Sequence, residues 1–309
     1  MKCAFAWAVM VMLTLSAAHT AAPSQAQTAD ACAGRPAPAP GLTEHTFDHN
    51  GLTRSYLLYT PASLEPATPA PVVFSMHGFA SNARQQVQLT GWNDVADEGG
   101  FLVVYPQGLG APPRWNAGSL GRLDPGAADD VGFLTALAAH LVETLCIDPA
   151  RVYANGMSNG GGMAYRLACE AGEVFAAFGG VAGAYAENLD CAPTRPVPML
   201  FFHGTADPIV PYDGGSGLPA IAPFVHDFAQ RNGCDAQPIA LAQVGSVGGW
   251  QYSGCDSDAD VALYIIDGGG HTWPGGPGML EFLLGVTTQD IDASAVMWEF
   301  YVAHPLVGE

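Results

Sequence analysis

The 309-residue sequence predicts an α/β fold, with a mostly parallel central sheet and helices on both faces. Three observations predict it. Continuous apolar runs such as "PVVFSM", Pro71–Met76, suit strands buried on both faces. Stretches with apolar residues at helical spacing, such as Asp129–Leu145, lie between them. The two kinds of segment alternate along the chain, which calls for crossover connections between parallel strands.

Each element has its own signal. Met1 and Lys2 make a short positive start. Residues 3–15 are an apolar core, and Ser24-Gln25-Ala26 offers a small-x-small cleavage site. Residues 1–26 therefore read as an export signal. The apolar run is shorter than the about 20 residues that cross a bilayer, and it stands too far from Cys32 for a lipoprotein signal, so no membrane attachment is expected after cleavage. Residues 27–40, rich in Ala and Pro, form a lead-in, and residues 41–309 a single catalytic domain. Within it Thr53–Tyr59 alternates as a half-buried strand does, followed by the buried strand Pro71–Met76. A helix over Trp92–Glu98 ends at Gly99-Gly100, and Phe101–Tyr105 is another buried strand. The helix over Asp129–Leu145 carries two aspartates at its start, where the helix dipole favours them. Strands are predicted at Arg151–Ala154, Phe175–Val181, Val197–Phe202 and Val261–Ile266, and helices at Met163–Cys169, Pro223–Arg231 and Asp292–His304.

Composition narrows the function classes. Formal charge is −19, and removing Lys2, the one lysine, makes it −20. Such a chain is a poor partner for a nucleic-acid backbone. Of seven cysteines, Cys3 leaves with the signal, and an even set in an exported protein implies three disulfides. Short loops suggest Cys169–Cys191 and Cys234–Cys255, which leaves Cys32–Cys146. No CxxC spacing supports a metal, and no metal or cofactor is expected.

Gly156-Met157-Ser158-Asn159-Gly160 matches G-x-S-x-G, preceded by the strand signal "RVYAN" and followed by the helix signal "MAYRLACE". In that context the serine sits on a tight turn, and the flanking glycines remove side chains that would clash. A phosphate-cradling loop is excluded because no G-K-[ST] closes the motif. Serine needs a base to take its proton. In α/β-hydrolases nucleophile, acid and histidine follow in that order. Downstream, the strand "VPMLFF" runs into His203-Gly204-Thr205-Ala206-Asp207, and "VALYII" runs into Asp267-Gly268-Gly269-Gly270-His271. Ser158, Asp207 and His271 thus fall beyond strand ends, where such sheets gather their chemistry. They are the expected catalytic residues. Asp213 and Asp267 compete with Asp207, and His203 reads as a structural hydrogen-bonding residue. The expected oxyanion donors are the amides of Asn159 and of Phe79 in "HGFAS". Trp115 and Trp273 are candidate substrate-binding residues, and residues 214–219 and 279–284 candidate walls of the cleft.

The blocks "HGFASN", "YPQG", "DDVGF", "DPARVYANGMSNGGGMAYRLACE", "FFHGTADPIVPY" and "GGGHTWPGG" resemble, in this order, the secreted esterases grouped with poly(3-hydroxybutyrate) depolymerases and feruloyl esterases. The resemblance runs from about Thr53 to the C-terminal helix. It implies an α/β-hydrolase fold, hydrolysis of carboxylic esters, and the same three catalytic residues. It leaves open feruloylated or acetylated polysaccharide, hydroxyalkanoate oligomers and small esters as substrates. The linker and polymer-binding domain of many polyester depolymerases have no counterpart in this sequence, which lowers solid polymer among them. A peptidase on the same fold and a non-catalytic binding protein are the alternative classes.

Overall fold

Along the chain the strands are β1 (Gly41–His49), β2 (Leu52–Thr60), β3 (Ala70–Met76), β4 (Leu102–Pro106), β5 (Ile147–Met157), β6 (Ala177–Val181), β7 (Met199–Gly204), β8 (Ile239–Ala240), β9 (Val247–Tyr252) and β10 (Val261–Ile266). The helices are α1 (Ala83–Thr90), α2 (Trp92–Gly99), α3 (Asp130–Thr144), α4 (Asn159–Glu170), α5 (Ile221–Arg231), α6 (Glu281–Leu284) and α7 (Ala293–Ala303). This computed structural model describes residues 32–35, 38–65, 67–118, 123–124, 126–186, 189–215, 217–278 and 280–307. The expected signal, residues 1–26, lies outside the described residues.

The strands form one ten-stranded sheet in the order β1-β2-β4-β3-β5-β6-β7-β10-β9-β8. From β4 to β10 neighbouring strands pair parallel. Antiparallel pairs extend the sheet at both ends, β1-β2-β4 on one side and β10-β9-β8 on the other. Every residue of β3, β4, β6 and β7 is buried, as the apolar runs require of strands covered on both faces. At the edge, β1 alternates between half-buried and exposed positions.

The core accordingly divides into two layers. On one face α3, α4 and α5 bring Phe133, Leu137, Met163, Leu167 and Phe228 against Phe74, Phe178 and Phe201. On the other, Trp92, Phe101, Trp273, Met297 and Tyr301 pack over Val73, Val103 and Tyr153. Each such side chain stabilises by about 1.5–3 kcal/mol on burial. The two aspartates at the start of α3 divide their work. Asp129 caps the helix by accepting from the Gly132 amide at 2.9 Å. Asp130 turns inward and pairs with Arg54 of β2 at 2.8 Å, both side chains nearly inaccessible.

The three disulfides join Cys32–Cys146, Cys169–Cys191 and Cys234–Cys255. Several elements extend beyond their sequence signals. The strand expected at Arg151–Ala154 runs over Ile147–Met157, and the helix expected from Met163 begins at Asn159, directly after the serine. Strands β1, β8 and β9 and helices α1 and α6 had no predicted counterpart. The last two are short, eight and four residues, and β9 contains a Gly-Gly pair that hides its strand character.

Candidate active site

Strand β5 ends at Met157 and α4 starts at Asn159, so Ser158 alone makes the turn between them. Its backbone is in a sparsely populated region, φ 55° and ψ −118°, a conformation that costs on the order of 1–3 kcal/mol and persists only where surroundings impose it. Here they do. The Ser158 amide donates to Val181 O at 2.9 Å, and its carbonyl accepts from the amides of Gly162 and Ala184. The glycines around it are demanded by close approach. A β-carbon on Gly160 would lie 2.7 Å from the His77 carbonyl oxygen, and one on Gly156 2.7 Å from that of Met76. The same reasoning explains Gly161, whose β-carbon would meet Gly183 Cα at 2.9 Å, and Gly162, where it would strike the Ala184 carbonyl. The glycine run lets α4 press against neighbouring backbone.

Strand β7 delivers Asp207 three residues past its end. Both backbone amides of Ile209 and Val210 donate to Oδ1 at 2.8 Å, leaving Oδ2 to accept from His271 Nδ1 at 2.8 Å. The Asp207 side chain is inaccessible and that of His271 nearly so. A proton on Nδ1 directs the lone pair of His271 to Nε2. His203 lies beneath this pair. Its Nε2–H donates to Val210 O at 2.8 Å and stands 3.5 Å from Asp207 Oδ2. Burial pushes the His203 pKa below its ordinary 6.5, with Asp207 opposing and His271 assisting. His203 therefore braces the acid as a neutral donor, as a structural histidine should. The competing carboxylates are elsewhere. Asp213 and Asp267 are exposed, and Asp267 accepts from Thr205 Oγ1 at 3.3 Å.

Ser158 and His271 line one cleft of about 300 Å³, with Gly78, Phe79, Leu89, Met157, Pro277, Leu280 and Leu284 among its walls. The expected wall at residues 279–284 thus contributes Leu280 and Leu284. Residues 214–219 contribute none among those described. Phe79 stands at the rim, 55% exposed. Its loop is held beside Ser158, since a β-carbon on Gly78 would touch Ser158 Cβ at 3.4 Å. The Phe79 amide has no acceptor among the described residues. Asn159 opens α4, where first-turn amides point out of the helix end.

Both tryptophans are buried, although Trp115 is among the residues lining a second cleft of about 500 Å³ that also reaches Phe79. Trp115 is 1% and Trp273 0% exposed. The Trp273 indole donates to Ser294 Oγ at 3.2 Å inside the second core layer, and its adjacency to His271 along the chain places it behind the loop. Trp115 packs on His77. Nothing in the local sequence distinguishes a tryptophan facing a cleft from one supporting it.

A serine on a strand–helix elbow and a buried Asp–His pair beyond later strands of one parallel sheet define an α/β-hydrolase. Comparison with known proteins carries this further. Residues 54–206 match the family model described as esterase PHB depolymerase. The chain is 31% identical over 271 residues to feruloyl esterase C of Emericella nidulans, across 85% of this chain and 88% of that protein. Solved structures agree on the fold. An acetyl xylan esterase from Aspergillus awamori superposes with a TM-score of 0.58 at 17% identity, covering 75% of this chain and 94% of that one. A ferulic acid esterase from Anaeromyces mucronatus does so at 0.50 and 16%, covering 76% and 85%. The chain belongs to the poly(3-hydroxybutyrate) depolymerase and feruloyl esterase family, and it is a carboxylic-ester hydrolase.

Proposed function

We propose that the chain is an exported serine esterase that works through an acyl-enzyme. The observation that carries this is the 2.8 Å Asp207–His271 hydrogen bond, with His271 and Ser158 in one cleft. In the first half, His271 Nε2 takes the Ser158 proton as Oγ bonds to the ester carbonyl carbon. Negative charge moves to the carbonyl oxygen, towards the Phe79 and Asn159 amides. The C–O bond to the alcohol then breaks, and His271 returns its proton to the leaving oxygen. In the second half, water repeats the attack with His271 again as base, and the acid leaves Ser158. Asp207 orients the imidazole and stabilises the imidazolium. Ser158→Ala tests the reading by p-nitrophenyl butyrate turnover. A fall of at least about 10⁴-fold is expected, and undiminished turnover refutes it.

The cleft is largely apolar, with Phe79, Leu89, Met157, Leu280 and Leu284 on its walls. This suits an aromatic or short aliphatic acyl group. Across Phe79 opens a second cleft of about 500 Å³, lined by Arg114, Asn116 and Asp124 among others, whose polar groups suit a hydroxyl-bearing alcohol. Together they favour acyl esters of a polysaccharide, feruloyl or acetyl, over hydroxyalkanoate oligomers. Rates on methyl ferulate, acetylated xylan and hydroxybutyrate oligomers rank the three, and preference for the oligomers reverses the assignment. Export is supported by the disulfides and by the predicted leader.

A further inference from the structure

We propose that Trp115 is a positioning residue that locks both halves of the oxyanion site to each other, resting on the reading of Ser158 as nucleophile and of the Phe79 and Asn159 amides as donors. The two amides come from different elements, the loop after β3 and the start of α4, and Trp115 belongs to neither. It lies within the connection between β4 and α3. Its indole N–H donates to the His77 carbonyl at 2.9 Å. Its backbone N–H donates to Asn159 Oδ1 at 2.7 Å, and its carbonyl accepts from Asn159 Nδ2 at 3.1 Å. One buried residue therefore grips the Asn159 side chain with its main chain and the other donor's loop with its ring.

His77 continues the connection to Phe79. The Gly108 amide donates to His77 Nε2 at 2.9 Å, so that nitrogen carries no proton. The proton sits on Nδ1 and donates to Gly78 O at 2.8 Å. In a trans peptide the carbonyl and the following N–H point in opposite directions. Holding Gly78 O against His77 turns the Phe79 N–H the other way, on the loop whose Gly78 abuts Ser158. His77 is wholly buried, and burial keeps its pKa below the ordinary 6.5, consistent with this neutral form. The path is continuous: Phe79 amide, Gly78 carbonyl, His77 ring, His77 carbonyl, Trp115 ring, Trp115 backbone, Asn159 side chain. The chemistry needs both amides fixed relative to each other before charge develops, because preorganised donors act without reorganising.

Trp115→Phe removes the indole N–H and keeps a ring. Asn159→Ala removes the clamp and keeps the backbone amide. Rates are taken per active site, titrated with a fluorophosphonate, alongside the Ki of a trifluoromethyl ketone that forms an oxyanion on Ser158. Each variant is expected to lose about 10–100-fold in kcat, part of the 10²–10³ typical for a lost donor. KM should stay within about twofold, and Ki should rise in step with the loss of kcat. The double variant should lose less than the product of the two, since both cut one connection. A purely structural role lowers thermal stability and the titrated fraction but leaves kcat per site and Ki at wild-type values; that result overturns the proposal. Should Trp115→Phe not fold, Asn159→Ala decides by the same criteria. Ser158→Ala separates the two levels of inference. If it is inactive while both variants behave as wild type, only the bracing role fails. If it turns over normally, the serine reading fails.

Discussion

Among the described residues two aspartates are buried, and their partners differ in kind. Asp130 meets Arg54, a permanent cation, at 2.8 Å, and its second oxygen accepts from the Asn116 amide. The guanidinium also lies 3.9 Å over the Phe133 ring. Asp207 meets two backbone amides and His271. Both carboxylates are hydrogen-bonded through both oxygens, as buried charge requires. The difference is the partner. Arg54 is charged at rest, so the Asp130 pair is complete and has nothing left to do. His271 is an imidazole whose charge can change, and in the proposed mechanism the Asp207 pair gains its full attraction only when the Ser158 proton arrives. Burial alone does not mark a catalytic carboxylate; a partner whose charge can change does.

Asp207→Asn is the strongest way to break the comparison. The new side chain fits the same space, and its oxygen still accepts from Ile209 and Val210. Its amide nitrogen, facing His271, is a donor, so His271 must present a bare Nδ1 and carry its proton on Nε2. The imidazole then cannot take the Ser158 proton. A fall in kcat of about 10⁴-fold is expected from the wrong tautomer, with the thermal midpoint little changed. An activity loss below tenfold would place the acid elsewhere.

The matching change at the other site strikes stability. Arg54→Met leaves the Asp130 charge buried without its cation, which costs about 3–5 kcal/mol. Arg54→Met with Asp130→Leu removes both charges and is expected to recover most of that loss. Urea denaturation of the single and double variants measures it. Catalysis per folded site should fall far less than in Asp207→Asn. A single variant as stable as wild type would mean that the pair does not hold β2 to α3.

This contrast also explains what could be read from sequence. Ser158, Asp207 and His271 were legible as candidates because each follows a recognisable strand, and topology puts those strand ends on one edge. Arg54 and Asp130 are 76 positions apart, and no local pattern announces their meeting. Asp130 therefore read as a helix-dipole residue. Trp115 and Trp273 read as cleft residues from their neighbours along the chain; chain adjacency does not set side-chain direction, and of the two, both buried, Trp115 borders a cleft. Gly161 and Gly162 are explained only by the backbone of residues 183 and 184, brought close by β6. Strands β1 and β9 went unpredicted because weakly apolar strands at or next to the sheet's edges carry less of the burial pattern than central strands do.

The smallest effect concerns the histidine behind the Asp207 pair. His203 donates Nε2–H to Val210 O, while its Nδ1 has no hydrogen-bond partner among the described residues. A second proton would put an unpartnered N–H and a charge in the interior beside His271, with the Val210 carbonyl and Asp207 to attract it. Burial accordingly depresses its pKa below 6.5. Below about pH 6.5 the unfolded chain binds a proton that the native chain refuses, down to the native pKa, so native stability falls as pH drops through that window and is flat above it. The limit is about 1.4 kcal/mol per pH unit for one such group. His77, shifted the same way by burial, adds a slope of the same sign. In His203→Gln the first contribution vanishes and the second stays. Urea midpoints measured from about pH 7.5 to 5.5 should therefore decline less steeply in the variant than in wild type. Parallel declines would mean that His203 accepts its second proton in the folded protein.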